Sequence, residues 1–354
     1  MNADWQQFLE QQGAQFDEHG RVTTFGEPDL ERVLVKHGPV AVPLTGMALV
    51  QVSGEDAKTF LQAQLTNDIE EVSNKTGQLA AWCDPKGQVL ALFWILMYER
   101  DYYLIFDASL KETILKRLQM FVLRSKVTLT DRSDDLALVG YGGDFGDLDL
   151  QRALDAKVKE TWSAAMVPME GLRKIKAMKI PGPYHRYLLL GPVDQMKQAW
   201  EKLLVNADRC NQYDWHLMDI VAGIPVVTDA ISGRFVAQML NLDKLGAINF
   251  KKGCFPGQEI IARLHFRATV PKRMFRLHSD VPIEATPGET YSAEDEKGKR
   301  IEFELLWQRP DPIEGQLVQA VANVKTLAQA QGDLNVNGQP LRIEPLPYPV
   351  LDED

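Results

Sequence analysis

The longest uninterrupted apolar run in this chain of 354 residues is VLALFWILMY, ten residues from Val89 to Tyr98. A helix crossing a membrane needs about 20 such residues, so the run has to be buried inside a folded domain. A second apolar run, LAAWC, stands just before it, and Asp84-Pro85-Lys86-Gly87 separates the two. Proline in second place and glycine in fourth are turn chemistry, so the pair reads as a β-hairpin. Around the hairpin, MALVQVSG and DYYLIFD predict strands, and AKTFLQAQL predicts a helix with apolar residues at helical spacing. SLKETILKRLQMFV predicts a second helix, with Ser109 as N-cap and Glu112 completing a capping box, before KVTLTD returns as a strand. Strands and helices in this order match the split βαβ pattern of a ferredoxin-like unit, an antiparallel sheet with its helices on one face.

A second group of elements follows. LALVGYGG and YHRYLLLG predict strands, and DLQRALDAK, VDQMKQAWEKLL and YDWHLMDIVAG predict helices, the last stopped by Gly223 and Pro225. After about residue 270 the texture changes to short strands, MFRLHSD, RIEFELLW and QLVQAVANV, the spacing of a small β-barrel or sandwich. The expected organisation is α+β: a polar leader over 1–39, one αβ unit over 40–135, a second over 136–270, and a barrel over 271–354. The three cysteines are odd in number and far apart, which fits a reducing compartment rather than a disulfide framework or a zinc site. The first residues, MNADWQQFLEQQ, lack the basic-then-apolar order of a signal peptide. A soluble, cytoplasmic protein with no membrane association is expected.

The formal charge is −10, from 39 basic and 49 acidic residues. Such a chain repels polyanions overall, which argues against a generic nucleic-acid coat protein. The charge is uneven, however. Lys251, Lys252, Arg263, Arg267, Lys272, Arg273 and Arg276 face the single acid Glu259 within 251–276, so this stretch carries +6 and the remainder −16. An island of this kind suits a small carboxylated or phosphorylated ligand. Cys254 sits inside it, in Lys251-Lys252-Gly253-Cys254-Phe255-Pro256-Gly257-Gln258-Glu259. A thiol beside two lysines and at a helix N-terminus should have a lowered pKa. The alternative, a buried cysteine in a structural glycine turn, stays open on these residues alone. Cys83 and Cys210 read as small buried hydrophobes. Trp215 is explained equally by core packing against Met218 and by a role as a flat stacking surface. His265 reads as a strand or surface residue. Gly140-Tyr-Gly142-Gly143-Asp-Phe-Gly146 misplaces the last glycine of a dinucleotide fingerprint and reads as a loop.

The segment Lys252-Gly253-Cys254-Phe255-Pro256-Gly257-Gln258-Glu259 resembles the K-G-C-[aromatic]-x-G-Q-E signature of the YgfZ family of folate-binding, tRNA-modifying and iron–sulfur maintenance proteins. The resemblance extends to Ala222-Gly223-Ile224-Pro225-Val226, to Gln238 with Asn241-Leu242, and to Glu344-Pro345-Leu346-Pro347-Tyr348. It covers roughly residues 40–348. It implies the fold of the glycine-cleavage T-protein, an aminomethyltransferase: two ferredoxin-like αβ units of the folate-binding type plus a small C-terminal β-barrel. It also implies tetrahydrofolate as cofactor, held by Trp215, Gln258 and Arg263, and Cys254 with Lys252 as the functional pair, Lys252 lowering the thiol pKa. No metal site is implied. The chain departs from the T-protein pattern at Leu90-Ala91, where those enzymes carry a catalytic aspartate, and at Met239, where they hold the pterin with a glutamate. Met47 replaces a second pocket tryptophan found in some YgfZ proteins.

The expected function is therefore a folate-binding accessory protein supporting iron–sulfur cluster assembly or repair and tRNA methylthiolation, with Cys254 as the functional thiol. Its expected partners are iron–sulfur enzymes such as tRNA methylthiotransferases. Two alternatives remain: a folate-dependent aminomethyl or methyl transferase, which lacks its acid near Leu90, and a tRNA-binding protein using the 251–276 island. Whether the chain is itself an enzyme is left open by its residues.

Overall fold

The computed structural model describes residues 1–171, 174–267 and 269–350. The chain opens with helix α1 (Ala3–Gln11), the short strands β1 (Gln15–Phe16) and β2 (Val22–Thr24), and helix α2 (Pro28–His37). Strand β3 (Val40–Pro43) follows, then β4 (Met47–Ser53), α3 (Ala57–Gln64), β5 (Gln78–Cys83), β6 (Val89–Tyr98), β7 (Asp101–Asp107), α4 (Lys111–Val122) and β8 (Thr128–Asp131). Five of these strands form one sheet in the order β5-β6-β7-β4-β8. The split βαβ order calls for four strands; the hairpin adds β5 at one edge. The ten-residue apolar run is β6, buried along nearly its whole length. Helix α4 begins later than the capping box predicts. Asp107 accepts from the Ser109 N–H at 2.9 Å and caps a single 3-10 turn, after which α4 starts at Lys111.

The second sheet is built from β9 (Leu136–Gly143), β10 (Ala164–Val167), β11 (Ile175–Ile180), β12 (His185–Pro192) and β13 (Asp208–Arg209), with helices α5 (Gly146–Leu154) and α6 (Val193–Leu203) packed on β9 and β12. Its order is β10-β11-β12-β9-β3-β13, so Val40–Pro43 pairs with β9, not with the strands that follow it in sequence. The leader is part of this layer. Trp5, Leu9 and Val22 are buried in one core with Tyr141, Tyr187 and Trp200, and Trp5 meets Trp200 edge-on at 6.1 Å.

Helix α7 (Gln212–Val221) and α8 (Gln258–Phe266) precede the C-terminal strands β14 (Lys272–Ser279), β15 (Thr290–Glu294), β16 (Arg300–Pro310) and β17 (Gln316–Asn323), helix α9 (Val324–Ala328), and strands β18 (Leu334–Val336) and β19 (Gln339–Glu344). These strands close into a barrel in the order β14-β17-β16-β15-β18-β19. Phe275, Leu277, Phe303, Leu305, Val318 and Ala320 fill it at every second position, the period of a strand. The chain is thus mixed α and β with a closed C-terminal barrel. It divides into two compact units, one holding residues 1–62, 69–79 and 93–218, the other 63–68, 80–92 and 219–354. Among the described residues no helix is long and apolar enough to cross a membrane.

The run Gly140–Gly143 is strand, not loop, and its glycines make room for side chains rather than phosphate. A Cβ on Gly140 would stand 2.8 Å from the Trp215 ring, and one on Gly142 2.8 Å from the Tyr184 ring. The Trp215 ring is rigid and buried, so it does not give way cheaply. Gly140→Ala should lower stability by about 1–3 kcal/mol, the usual cost of overpacking, read as a lower urea midpoint. An unchanged midpoint would show that the indole has space to move.

Candidate functional site

The Cys254 loop is organised by contacts on either side of the thiol. Gly257 has φ +81°, a left-handed conformation that favours glycine, and a Cβ there would lie 2.5 Å from Gly87 Cα and 2.6 Å from the Asp84 carbonyl oxygen. Gly87, itself at φ +76°, closes the hairpin turn through its N–H to the Asp84 carbonyl at 2.9 Å. Asp84 Oδ1 accepts from the N–H groups of Lys86 and Gln88, each at 2.9 Å, which fixes the turn. The tip of the hairpin and the start of α8 therefore meet backbone to backbone. Gly253 is different: a Cβ there would meet nothing within 4 Å. Of the two glycines flanking Cys254, only Gly257 is required by the packing.

Lys252 holds the other side. Asn249 Oδ1 accepts from the backbone N–H of Lys251 and Lys252 at 2.8 and 3.0 Å, turning the chain. The buried Lys252 ammonium donates to the carbonyls of Leu65 at 2.6 Å and Asn67 at 2.9 Å, and lies 5.4 Å from the Phe255 ring centroid. The same short segment is tied by Thr66 Oγ1 to the Ala247 carbonyl at 2.7 Å and by Asn67 Nδ2 to that of Gly246 at 2.9 Å. Two of the three Lys252 donors are thus committed to backbone carbonyls, where the sequence suggested a partner for the thiol. Lys252 is a tie between loop and segment 63–68.

Cys254 is exposed, and it is the one exposed cysteine. It precedes the first residue of α8 by four positions, and Gly257 occupies the N-cap, so the thiol is not itself at the helix terminus as expected. Glu259 does fall in the first helical turn. Cys83 and Cys210 are buried, and desolvation raises both thiol pKa values well above the usual range. They are packing residues. Among the described residues no group of three or more His, Cys, Asp or Glu is placed to hold a metal ion.

The nominated folate residues divide between the compact units: Trp215 in the first, Gln258 and Arg263 in the second. Trp215 is 3% exposed, and the Arg186 guanidinium lies 4.4 Å over its ring. A pterin could stack on this face only in place of Arg186. Gln258 is the first residue of α8 and half-buried; Arg263 is exposed one turn further on, and fits a carboxylate. Met47 lines a cavity of about 260 Å³ in the first unit, with Trp5, Thr45 and Lys111 on its wall.

The basic island does not survive as one face. Lys252 is spent on carbonyls, Lys272 pairs with Glu304 at 2.5 Å, Arg273 forks onto Asp243 at 2.7 and 2.9 Å, and Arg276 faces Glu344 at 3.9 Å while donating to the Val221 carbonyl at 2.9 Å. Lys251, Arg263 and Arg267 remain exposed. Sequence reasoning missed the aromatic residues among them: Phe250 stacks on His265, which is helical rather than in a strand. It also missed how the other motif pieces converge. Gln238 Nε2 donates to the Ile261 carbonyl at 2.6 Å, Asn241 Nδ2 to that of Met274 at 2.8 Å, and the Tyr348 hydroxyl to that of Gly223. Each is an amide or hydroxyl, buried for Gln238 and Asn241 and half-buried for Tyr348, bonded to a distant carbonyl, a signal with no local pattern.

The GCVT N-terminal domain family matches residues 11–180. A relative from Klebsiella pneumoniae (strain 342), named tRNA-modifying protein YgfZ, is 31% identical over 326 residues, which span 88% of this chain and 95% of that protein. Among solved structures, glycine cleavage system aminomethyltransferase T from Bartonella henselae aligns over 97% of this chain and 96% of its own, with TM-score 0.77 and 15% identity. That likeness is one of fold.

Burial pushes the Lys252 ammonium down from the ordinary 10.5 to about 8, against a smaller opposing pull from Asp68. In the unfolded chain the amine keeps its proton up to 10.5, so between about 8 and 10.5 the unfolded state binds more protons. The cost of burying the charge is fully present below about 8 and is relieved as pH rises through that window. Lys252→Met leaves two carbonyls without their donor, a loss of about 1–3 kcal/mol, and removes the titration. Urea unfolding should therefore show wild type gaining stability relative to Lys252→Met as pH rises from 8 to 10.5. A difference that stays flat with pH would contradict the assignment.

Proposed function

The chain belongs to the YgfZ family, and on that premise we propose that it is a folate-binding accessory protein acting in the cytoplasm. It would support assembly or repair of iron–sulfur clusters and, through enzymes that use them, tRNA modification such as methylthiolation. The observation that carries this reading is the exposed Cys254 on a loop held by Gly257 and Lys252. A thiol needed only for packing would be buried, as Cys83 and Cys210 are. The name of the Klebsiella relative, a tRNA-modifying protein, supports the tRNA half of the reading.

Tetrahydrofolate, when bound, supplies a carrier for one-carbon groups. Within the second unit, Arg263 offers its guanidinium to the glutamate carboxylates of such a ligand and Gln258 an amide. Lys252 serves as a positioning residue that keeps the loop in register. Aminomethyl transfer is not part of the proposal: Leu90 stands where the T-proteins carry their acid, is 6% exposed, and its carbonyl accepts from Ser232 Oγ at 2.7 Å.

Two experiments test the halves separately. Calorimetric titration should give saturable tetrahydrofolate binding that Arg263→Gln weakens; no binding up to millimolar ligand would end the folate reading. Complementation of a strain lacking the gene should fail with Cys254→Ser, and full rescue would remove the thiol from the function.

A further inference from the structure

Three aromatic rings gather where the loop before Cys254 meets the end of α8. Phe250 stacks on His265 with centroids 3.7 Å apart and planes 12° from parallel. Phe266 meets both edge-on, 4.6 Å from His265 and 6.0 Å from Phe250. These rings belong to no core: Phe266 is 67% exposed, His265 is exposed and Phe250 half-buried. Three exposed cations flank them. Lys251 follows Phe250 directly, Arg263 stands one helical turn before Phe266, and Arg267 comes next after it. Among the described residues none of the three forms an ion pair, although the exposed Glu259 lies a turn from Arg263. In a chain that pairs its other island cations internally, this group is left facing water.

We propose that this patch binds an unpaired polynucleotide strand, one or two bases stacking on the Phe250–His265–Phe266 rings and flanking phosphates meeting Lys251, Arg263 and Arg267. The combination selects the ligand class. Cations alone would suit any polyanion, but an acidic peptide would leave three rings uncovered. A duplex keeps its base faces inside its own stack, beyond reach of a protein ring. A single strand offers both a π-face and a phosphate at each step, and every base stacks, so the site needs no sequence code. The inference goes beyond the folate and cluster reading; it shares Arg263 with that reading and otherwise rests on residues that reading does not use.

Fluorescence anisotropy with a labelled single-stranded oligoadenylate, its DNA counterpart, the same strand annealed to its complement, and polyglutamate as competitor tests it. Single strands should bind at least about tenfold more tightly than the duplex. Three phosphate contacts on a single strand predict a log–log salt slope of about −2, against about −5 for an island of seven cations. Phe266→Ala and His265→Ala should each weaken binding about tenfold with the slope unchanged. Arg267→Gln should make the slope shallower by about 0.7. Phe266 packs into no core, so its removal leaves the fold intact, which circular dichroism and the thermal midpoint verify. Tighter binding of the RNA strand names RNA as the source, tighter binding of the DNA strand names DNA, and either supports the site. Equal binding of duplex and single strand, competition by polyglutamate at equal charge, or wild-type affinity in both aromatic variants overturns it. Tetrahydrofolate calorimetry on Phe266→Ala reads the folate proposal independently, because Phe266 has no part in it.

Discussion

Gly87 at the tip of a β-hairpin and Gly257 at the start of a helix bring two stretches of backbone so close that a Cβ on Gly257 would collide with Gly87. The rest of the Cys254 region depends on this approach. Gly257 caps α8, which carries Gln258, Arg263, His265 and Phe266. The hairpin is in turn clamped from the other side, where the Val89 N–H donates to the Phe235 carbonyl at 2.8 Å and the Gly233 N–H to that of Val89 at 2.7 Å. Lys252 then ties the far side of the loop to Leu65 and Asn67. Between these fixed points Gly253 and Cys254 touch little, which is why the thiol reaches solvent. Any L-residue at 257 would adopt the left-handed conformation at a cost of about 1–2 kcal/mol before the clash with Gly87 is counted.

The charge pattern gains its meaning from pairing rather than from sum. Seven cations in 26 residues look like one anion-receiving face. Four of them hold the protein together: a fork onto Asp243, ion pairs with Glu304 and Glu344, and an ammonium on two carbonyls. The partners of Lys272 and Arg276 lie 32 and 68 positions away, so no window of sequence shows them. What is left is a smaller positive patch mixed with aromatic rings. That is a more selective surface than seven exposed cations would be, because a ring favours ligands with a planar group to stack on it while a cation takes any anion.

How much was legible follows from where the information lies. The hairpin could be read because turn chemistry is local, and helices α5, α6 and α7 because their apolar spacing is. Strand β11 was missed because Lys176 and Lys179 interrupt its apolar pattern, yet both are buried. Lys176 donates to the Asn74 carbonyl, and Lys179 to Asp147 at 2.8 Å and the Lys159 carbonyl at 2.7 Å. Gly140–Gly143 imitated a phosphate loop because the side chains that need its missing Cβ atoms, Trp215 and Tyr184, come 75 and 42 positions later. The Cys254 motif was recognisable as a string, but its physical content was not. That Gly257 is constrained while Gly253 is free, and that Lys252 holds carbonyls, can be seen only once the chain is folded.

The pair of glycines flanking Cys254 provides the most direct measurement. Hydrogen exchange followed by mass spectrometry on Gly253→Ala and Gly257→Ala, side by side with wild type, reads the protection of the first turn of α8. The account predicts that Gly253→Ala exchanges as wild type, since its methyl group meets nothing within 4 Å. Gly257→Ala should lose that protection, because its methyl group would enter the backbone of Gly87. Indistinguishable exchange in the two variants would contradict the claim that the loop is held at the hairpin tip.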